Sequence, residues 1–237
     1  CIFSKDGKEF FFAVDEGEQN EIYCSKLKKG VWTKPEKIFE EDIYSYNAPM
    51  LSPDQNRLFY ITDRALDGKG QKKDIDIWYS KREGEGWSTP IPIRKNINSE
   101  RNEYYISLSK EGKMYFASNK NAPENRQYNF DIYAAEAKGE GFAEAIKLDE
   151  NINTSRYEGD VFVAPDESYI VFCANRGDGL GEGDLYISFK DAEGSWTPSK
   201  NMGSAINTSS NDFCPFVTPD GKYFFYTSIK DLYWVST

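Results

Sequence analysis

The stretch Glu103-Tyr104-Tyr105-Ile106-Ser107-Leu108-Ser109, Lys110-Glu111-Gly112, Lys113-Met114-Tyr115-Phe116-Ala117-Ser118 reads as two apolar-rich strands joined by a tight turn. Acidic and glycine residues suit that turn, because they tolerate the backbone angles a hairpin reversal needs. A polar loop runs from 119 to 129, and Phe130 through Ala135 makes a third strand. Gly139-Glu140-Gly141 then leads to Phe142 and a fourth strand around Ala145 to Leu148. Asn151-Ile152-Asn153-Thr154 carries the chain into a second copy of the same pattern.

Outward from this unit, the pattern recurs about every 55 residues, a period with several short strands per repeat that signals a β-propeller. Trp32, Trp87, Phe142 and Trp196 mark one position. Glu21-Ile22-Tyr23, Asp76-Ile77-Trp78, Asp131-Ile132-Tyr133, Asp184-Leu185-Tyr186 and Asp231-Leu232-Tyr233 mark another. The hairpin turn recurs as Ser4-Lys5-Asp6-Gly7, Ser52-Pro53-Asp54, Ser109-Lys110-Glu111-Gly112, Ala164-Pro165-Asp166 and Thr218-Pro219-Asp220-Gly221. Inner strands fall near Ile2, Met50, Ile106, Val161 and Phe216. The expectation is therefore an all-β fold, a five-bladed β-propeller forming one domain over 1–237. Its repeats run about 1–47, 48–102, 103–157, 158–211 and 212–237. The last repeat ends at Trp234-Val235 with three strands and lacks its outer one. Propellers avoid exposed edges, so an N-terminal strand preceding Cys1 is expected to complete the fifth blade.

Composition narrows the function. Aromatic residues (16 Tyr, 16 Phe, 5 Trp) suit pleated, half-buried surfaces and agree with the all-β reading. A net charge of −10 argues against a nucleic-acid partner and against an anionic membrane surface. No run is long and apolar enough for membrane insertion, and no export signal is read in these residues. Cys1 passes straight into strand residues without a tether, which speaks against a lipid-anchored start. Cys1, Cys24, Cys173 and Cys214 have no zinc-like spacing. Buried free thiols are expected ahead of a Cys1–Cys214 disulfide. The chain has no histidine, which removes Ser-His-Asp and Cys-His catalysis and histidine-ligated metals.

The Ser-Pro-Asp-Gly turns and the Asp-Ile-Tyr strands resemble the TolB-type, WD-like (PD-repeat) bacterial β-propellers over essentially the whole chain. The linkers at Asn96 to Ser99, Asn151 to Thr154 and Ala205 to Thr208 are similar to those of envelope proteins from Bacteroidetes-like bacteria. The resemblance implies a periplasmic or otherwise extracytoplasmic, monomeric module that engages protein, peptidoglycan or glycan. The departures are five units where the TolB propeller has six, and weakened turns in units one and three.

Two residue sets map to one loop face. Tyr46, Glu103, Glu158 and Asp212 stand where each inner strand begins. Three carboxylates converging there suit a cation or glycosidic acid/base chemistry, so Glu103, Glu158 and Asp212 are the catalytic candidates if the chain is a glycoside hydrolase-like enzyme. Because the feature obeys the repeat, a structural role is weighed ahead of catalysis. Asp63, Arg64, Asn119, Lys120, Asn175 and Arg176 follow the second strands and are the ligand-binding candidates. Beyond them the loops break the repeat, at 65–74, 121–129 and 177–183, and irregular loops on a rigid scaffold are where binding residues concentrate. Asp178, Glu182 and Asp184 offer a weak Ca2+ reading with spacing unlike an EF-hand. The primary expectation is no cofactor. The repeated Trp32, Trp87, Phe142 and Trp196 are read as packing rather than sugar platforms. The leading function is a non-catalytic binding or scaffold propeller.

Overall fold

In the computed structural model, residues 1–40, 43–67, 73–229 and 231–237 are described. Part of the 65–74 loop lies outside them. The chain is almost entirely β, in five blades of a β-propeller arrangement; its one helical element among the described residues is a short 3-10 turn at Glu124–Arg126. The third blade follows the sequence reading to within a residue or so, with antiparallel strands Glu103–Leu108, Met114–Ser118, Asp131–Ala135 and Ile146–Lys147. The fifth blade has three strands, Asp212–Val217, Tyr223–Ser228 and Asp231–Ser236.

Contacts divide the chain into two compact units, Cys1–Tyr104 and Tyr105–Thr237. The first unit packs Phe11, Ile22, Tyr46, Leu58, Tyr60 and Trp78 into one apolar core. The second has one core around Ile132, Val161, Ile170 and Phe172, and another around Val171, Leu185, Val217 and Phe224. Two of the repeated aromatics seal neighbouring blades within their unit, while Trp32 packs on Phe3 and Phe10 of its own blade. Trp87 meets the Phe11 ring edge-on at 5.9 Å, and Trp196 meets Tyr115 at 6.3 Å. These are packing geometries for aromatic pairs.

The recurrent Ser/Thr-x-Asp turn has a direct physical cause. In the second blade Ser52 Oγ donates to Asp54 Oδ1 at 2.5 Å, while the Arg57 and Asn56 amides donate back to Ser52 Oγ and Asp54 Oδ1. Thr218 and Asp220 repeat the arrangement in the fifth blade. Short polar side chains thereby satisfy amides that the reversal takes out of the ladder.

The linkers are built on one device. Asn98, Asn153 and Asn207 are buried, and each side-chain oxygen accepts from the central-strand amide of Ile77, Ile132 or Leu185. Each side-chain nitrogen donates to the carbonyl of that same residue. An asparagine presents an acceptor and a donor side by side, so it clamps the central strand as a further backbone would.

Candidate functional site

Each strand-entry carboxylate completes its linker. Glu103 accepts the Ser99 amide at 3.0 Å and its hydroxyl at 2.8 Å. Glu158 accepts the Thr154 amide at 2.9 Å and hydroxyl at 2.6 Å, and Asp212 accepts the amide of Thr208 at 2.6 Å. Glu103, Glu158 and Asp212 are fully buried in this role. Burial pushes the Glu158 carboxyl upward, while the Thr154 donors and Arg176 pull it down. Tyr46, at the same place in the second blade, carries no charge and packs on Phe39 and Tyr60.

The residues after the second strands take separate paths. In the first unit, Asp63 Oδ1 accepts the Ser45 amide at 2.8 Å, and the Arg64 guanidinium lies over Tyr44 and Trp78. In the second unit, buried Asn119 donates to the Gln127 carbonyl, and Lys120 sits 4.2 Å above the Tyr133 ring. Arg176 donates to Glu158, Ser199 Oγ and the Ile152 carbonyl, and covers the Tyr186 ring at 4.6 Å. Asn175 is exposed and lines both open cavities of the second unit.

The first of these cavities, about 570 Å³, is lined by Tyr105, Tyr157, Asp160, Cys173, Asn175, Glu182, Gly183, Asn211 and Phe213. The second, about 450 Å³, is lined by Arg126, Asn129, Ser155, Arg156, Tyr157 and Asn175. Tyr157 and Asn175 belong to both. Volumes of this size suit small ligands or a few residues of peptide.

Asp160 owes its position to a β-bulge. On the inner strand Glu158–Val163, Gly159 pairs with Cys173 and Phe162 with Val171, so two residues face Phe172 alone. The first of the two, Asp160, is left-handed at φ 48°. Ala48, Tyr105 and Cys214 occupy the same place in other blades with φ 50°, 53° and 52°. Aspartate tolerates this region better than most residues, whereas the tyrosine and cysteine hold it under strain. The Asp160 carboxylate accepts Tyr157 Oη at 3.0 Å and Cys214 Sγ at 3.2 Å. Burial pushes it up to about 6, against the pull of those two donors. Gly159 matters beside it: a Cβ there would meet the Tyr157 ring, with Cζ at 2.7 Å.

The 177–183 loop is held rather than loose. The Leu180 and Gly181 amides donate to the Asp184 carboxylate, and the Glu182 amide to the Ser210 carbonyl. A Cβ on Gly181 would lie 2.7 Å from the Thr208 carbonyl oxygen, so only glycine packs there. Asp178 accepts the Tyr186 hydroxyl instead of joining Asp184. Among the described residues, no group of three His, Cys, Asp or Glu is arranged to hold a metal ion. Among the described residues no two cysteines form a disulfide; Cys24 and Cys173 are buried, whereas Cys1 and Cys214 are exposed.

Sequence reasoning singled out Asn175 but passed over Tyr157 and Asp160. The available signal was a charged residue inside the strand Glu158-Gly159-Asp160-Val161-Phe162-Val163, at a position where the other repeats carry Ala48, Tyr105 and Cys214.

The sequence matches no family model and no curated protein. Among the described residues, no helix is long and apolar enough to cross a membrane. The structure is similar to TolB from Acinetobacter baumannii at TM-score 0.67 and 15% identity, over 99% of this chain and 50% of that one. A putative TolB from Agrobacterium tumefaciens is similar at TM-score 0.60 and 15% identity, over 99% and 73%. A puromycin-hydrolyzing peptidase from Mycobacterium tuberculosis is similar at TM-score 0.56 and 12% identity, over 95% and 33%. This chain thus spans half the length of the Acinetobacter protein, and at such identities the likeness is one of fold. The fold is that of a TolB-type β-propeller.

Proposed function

We propose that this chain is a non-catalytic binding propeller of the bacterial cell envelope, working outside the cytoplasm, which holds a segment of a partner protein in the second unit's cavities. The observation that carries this reading is the contrast between two kinds of carboxylate. Glu103, Glu158 and Asp212 are buried and bound to their own linkers, which is the scaffold arrangement rather than a pair of acids flanking an open cleft. Asp160, two residues beyond Glu158, lines an open cavity with Asn175, Asn211 and Glu182. Amides, tyrosines and a few charges on rigid strands are the lining expected of a site that orients a polar ligand.

The experiment is a thermal-shift and calorimetric panel of short peptides, peptidoglycan fragments and oligosaccharides, run on the native chain and on Asn175→Trp, which fills the shared wall. A ligand that binds the folded state raises its apparent stability. Peptides are expected to shift the native chain and to lose that shift in Asn175→Trp. An oligosaccharide shift removed by the same variant, with peptides inert, replaces the protein ligand by a glycan.

A further inference from the structure

The two cavities differ in charge in a way that names a ligand class. Asp160 and Glu182 line the first, and neither is in an ion pair among the described residues. Asp160 is buried to 4% exposure, and its donors, the Tyr157 and Tyr105 phenols with the thiol and amide of Cys214, are neutral groups. A buried carboxylate without a cation is costly to hold in its charged form. Arg126 and Arg156 line the second cavity, both are exposed, and no carboxylate pairs with either guanidinium among the described residues. That contrasts with Arg176 nearby on the chain, whose guanidinium is taken by Glu158, Ser199 and Ile152. An unpaired guanidinium presents a planar fork of donors matched to a carboxylate. Between the two ends stand Tyr157 and Asn175, a hydroxyl and an amide shared by both cavities.

We propose that the two cavities form one seat for a peptide segment carrying both a positive group and a carboxylate. The cation faces Asp160 and Glu182, the carboxylate lies between Arg126 and Arg156, and the intervening peptide group bonds Asn175. This rests on the preceding reading that the seat binds a protein segment, and it adds the polarity with which the segment lies. A glycan without charge leaves all four ionic groups unmatched. A purely anionic ligand is repelled by Asp160 and Glu182, and a purely cationic one by the two arginines.

Gly159 is part of the design. Its missing Cβ lets the Tyr157 ring lie against the inner strand, where the hydroxyl reaches Asp160. Gly159→Ala displaces that ring, altering the shared wall of both cavities while leaving every charge in place.

The test uses three tetrapeptides titrated calorimetrically into the full chain at neutral pH. One has an acetylated amino terminus, a single lysine and a free carboxyl terminus; the second is its carboxyl amide; the third replaces lysine by norleucine. Hydrogen bonds to charged groups are worth enough that the amide and the norleucine peptide should each bind about tenfold more weakly, or worse. Arg126→Gln with Arg156→Gln should make acid and amide bind alike, without changing the preference for lysine. Glu182→Gln and Asp160→Asn should narrow the lysine preference while the acid-over-amide preference stays. Should Asp160→Asn fail to fold, the exposed Glu182 still reports on that end. Peptides that bind equally well with or without their charges, yet lose binding in Asn175→Trp, overturn the polarity and keep the seat. Peptide binding indifferent to Asn175→Trp, or no binding by any of the three, overturns the seat itself and the polarity with it.

Discussion

Asp76 and Asp131 open the central strands of consecutive blades, both are buried, and they meet different residues across the ladder. In the third blade Tyr133 pairs with Lys147, whose Nζ lies 2.7 Å from Asp131. In the first, Tyr23 pairs with Lys37, 3.1 Å from Glu21. In the fourth, Tyr186 pairs with Asn201, whose amide donates to Asp184 at 2.7 Å. In the second blade Trp78 pairs with Pro92, which has nothing to donate, and among the described residues both Asp76 oxygens lack a hydrogen-bond partner. Burial, then Asp74 and Glu103, push the Asp76 carboxyl up to about 8. The first four blades therefore keep the acid buried, and in three of them the outer strand supplies its partner, one residue at a time. Where that residue is missing, burial and the neighbouring carboxylates favour the protonated form of the acid.

The comparison breaks most severely where a satisfied acid is removed. Glu158→Ala should destabilise the second unit by about 3–5 kcal/mol, because the half-buried Arg176 loses its anion and the Thr154 amide and hydroxyl lose their acceptor. Urea denaturation checks this, with Glu158→Gln as the milder companion. A loss below about 1 kcal/mol would mean that the linker holds without its carboxylate.

Asp76 should show the opposite sign. Its pKa is raised in the folded state, so the unfolded chain binds fewer protons between about pH 4 and pH 8. The stability it contributes is complete below the ordinary carboxylate pKa and is lost as pH rises through about 8, by at most about 1.4 kcal/mol per pH unit. Asp76→Asn should flatten that decline and raise the urea midpoint at pH 8. Pro92→Lys should act similarly by giving the second blade the cation of the first and third. An unchanged pH profile in both variants would show that Asp76 is already ionised and served from elsewhere.

Asp160 sharpens the comparison from the side of binding. With its carboxyl pushed up to about 6, it loses its charge as pH falls through that value. Affinity for a lysine-containing peptide should drop several-fold between about pH 7.5 and pH 5, while the norleucine peptide changes little. Titration at the two pH values, repeated on Asp160→Asn, checks it. A decline that persists in the asparagine variant assigns the titration to another group.

Much of this was legible in the sequence because it repeats. The spacing of turn, central-strand acid and aromatic named the blades, and a single strand-entry position named Glu103, Glu158 and Asp212. Their bonds were less visible, though the four-residue step from Ser99 to Glu103, Thr154 to Glu158 and Thr208 to Asp212 carries them. Pro92 was out of reach for a physical reason. The outer strand Ile91–Pro92 is two residues long, too short for any alternation to set its register, so its partner across the ladder is known only from the fold. Asp160 was hidden by a bulge, which shifts register inside a strand that otherwise reads as continuous. The features that obey the repeat are the ones a sequence states outright. Asp160, on which the proposed binding rests, departs from it by one residue.

The smallest expected effect returns to the hairpin turns, where the blades differ by a single side chain. The residue after the turn acid is left-handed in all five: Gly7 at φ 67°, Gln55 at 61°, Gly112 at 82°, Glu167 at 59° and Gly221 at 70°. A left-handed backbone brings Cβ close to the following carbonyl, a cost of about 1 kcal/mol that glycine escapes. Glu167 offsets it by accepting the Tyr115 hydroxyl and pairing with Lys190 at 3.3 Å. Gln55 serves its turn through the backbone: its amide donates to the Ser52 carbonyl and its carbonyl accepts Arg82 Nε, and both bonds would remain after substitution. Gln55→Gly should therefore stabilise the first unit by about 0.5–1 kcal/mol, less the extra freedom glycine gives the unfolded chain. Glu167→Gly should destabilise the second despite the same backbone relief. Matching shifts of one sign in the two variants would mean that the backbone alone sets the turn, and that the Glu167 contacts contribute nothing to it.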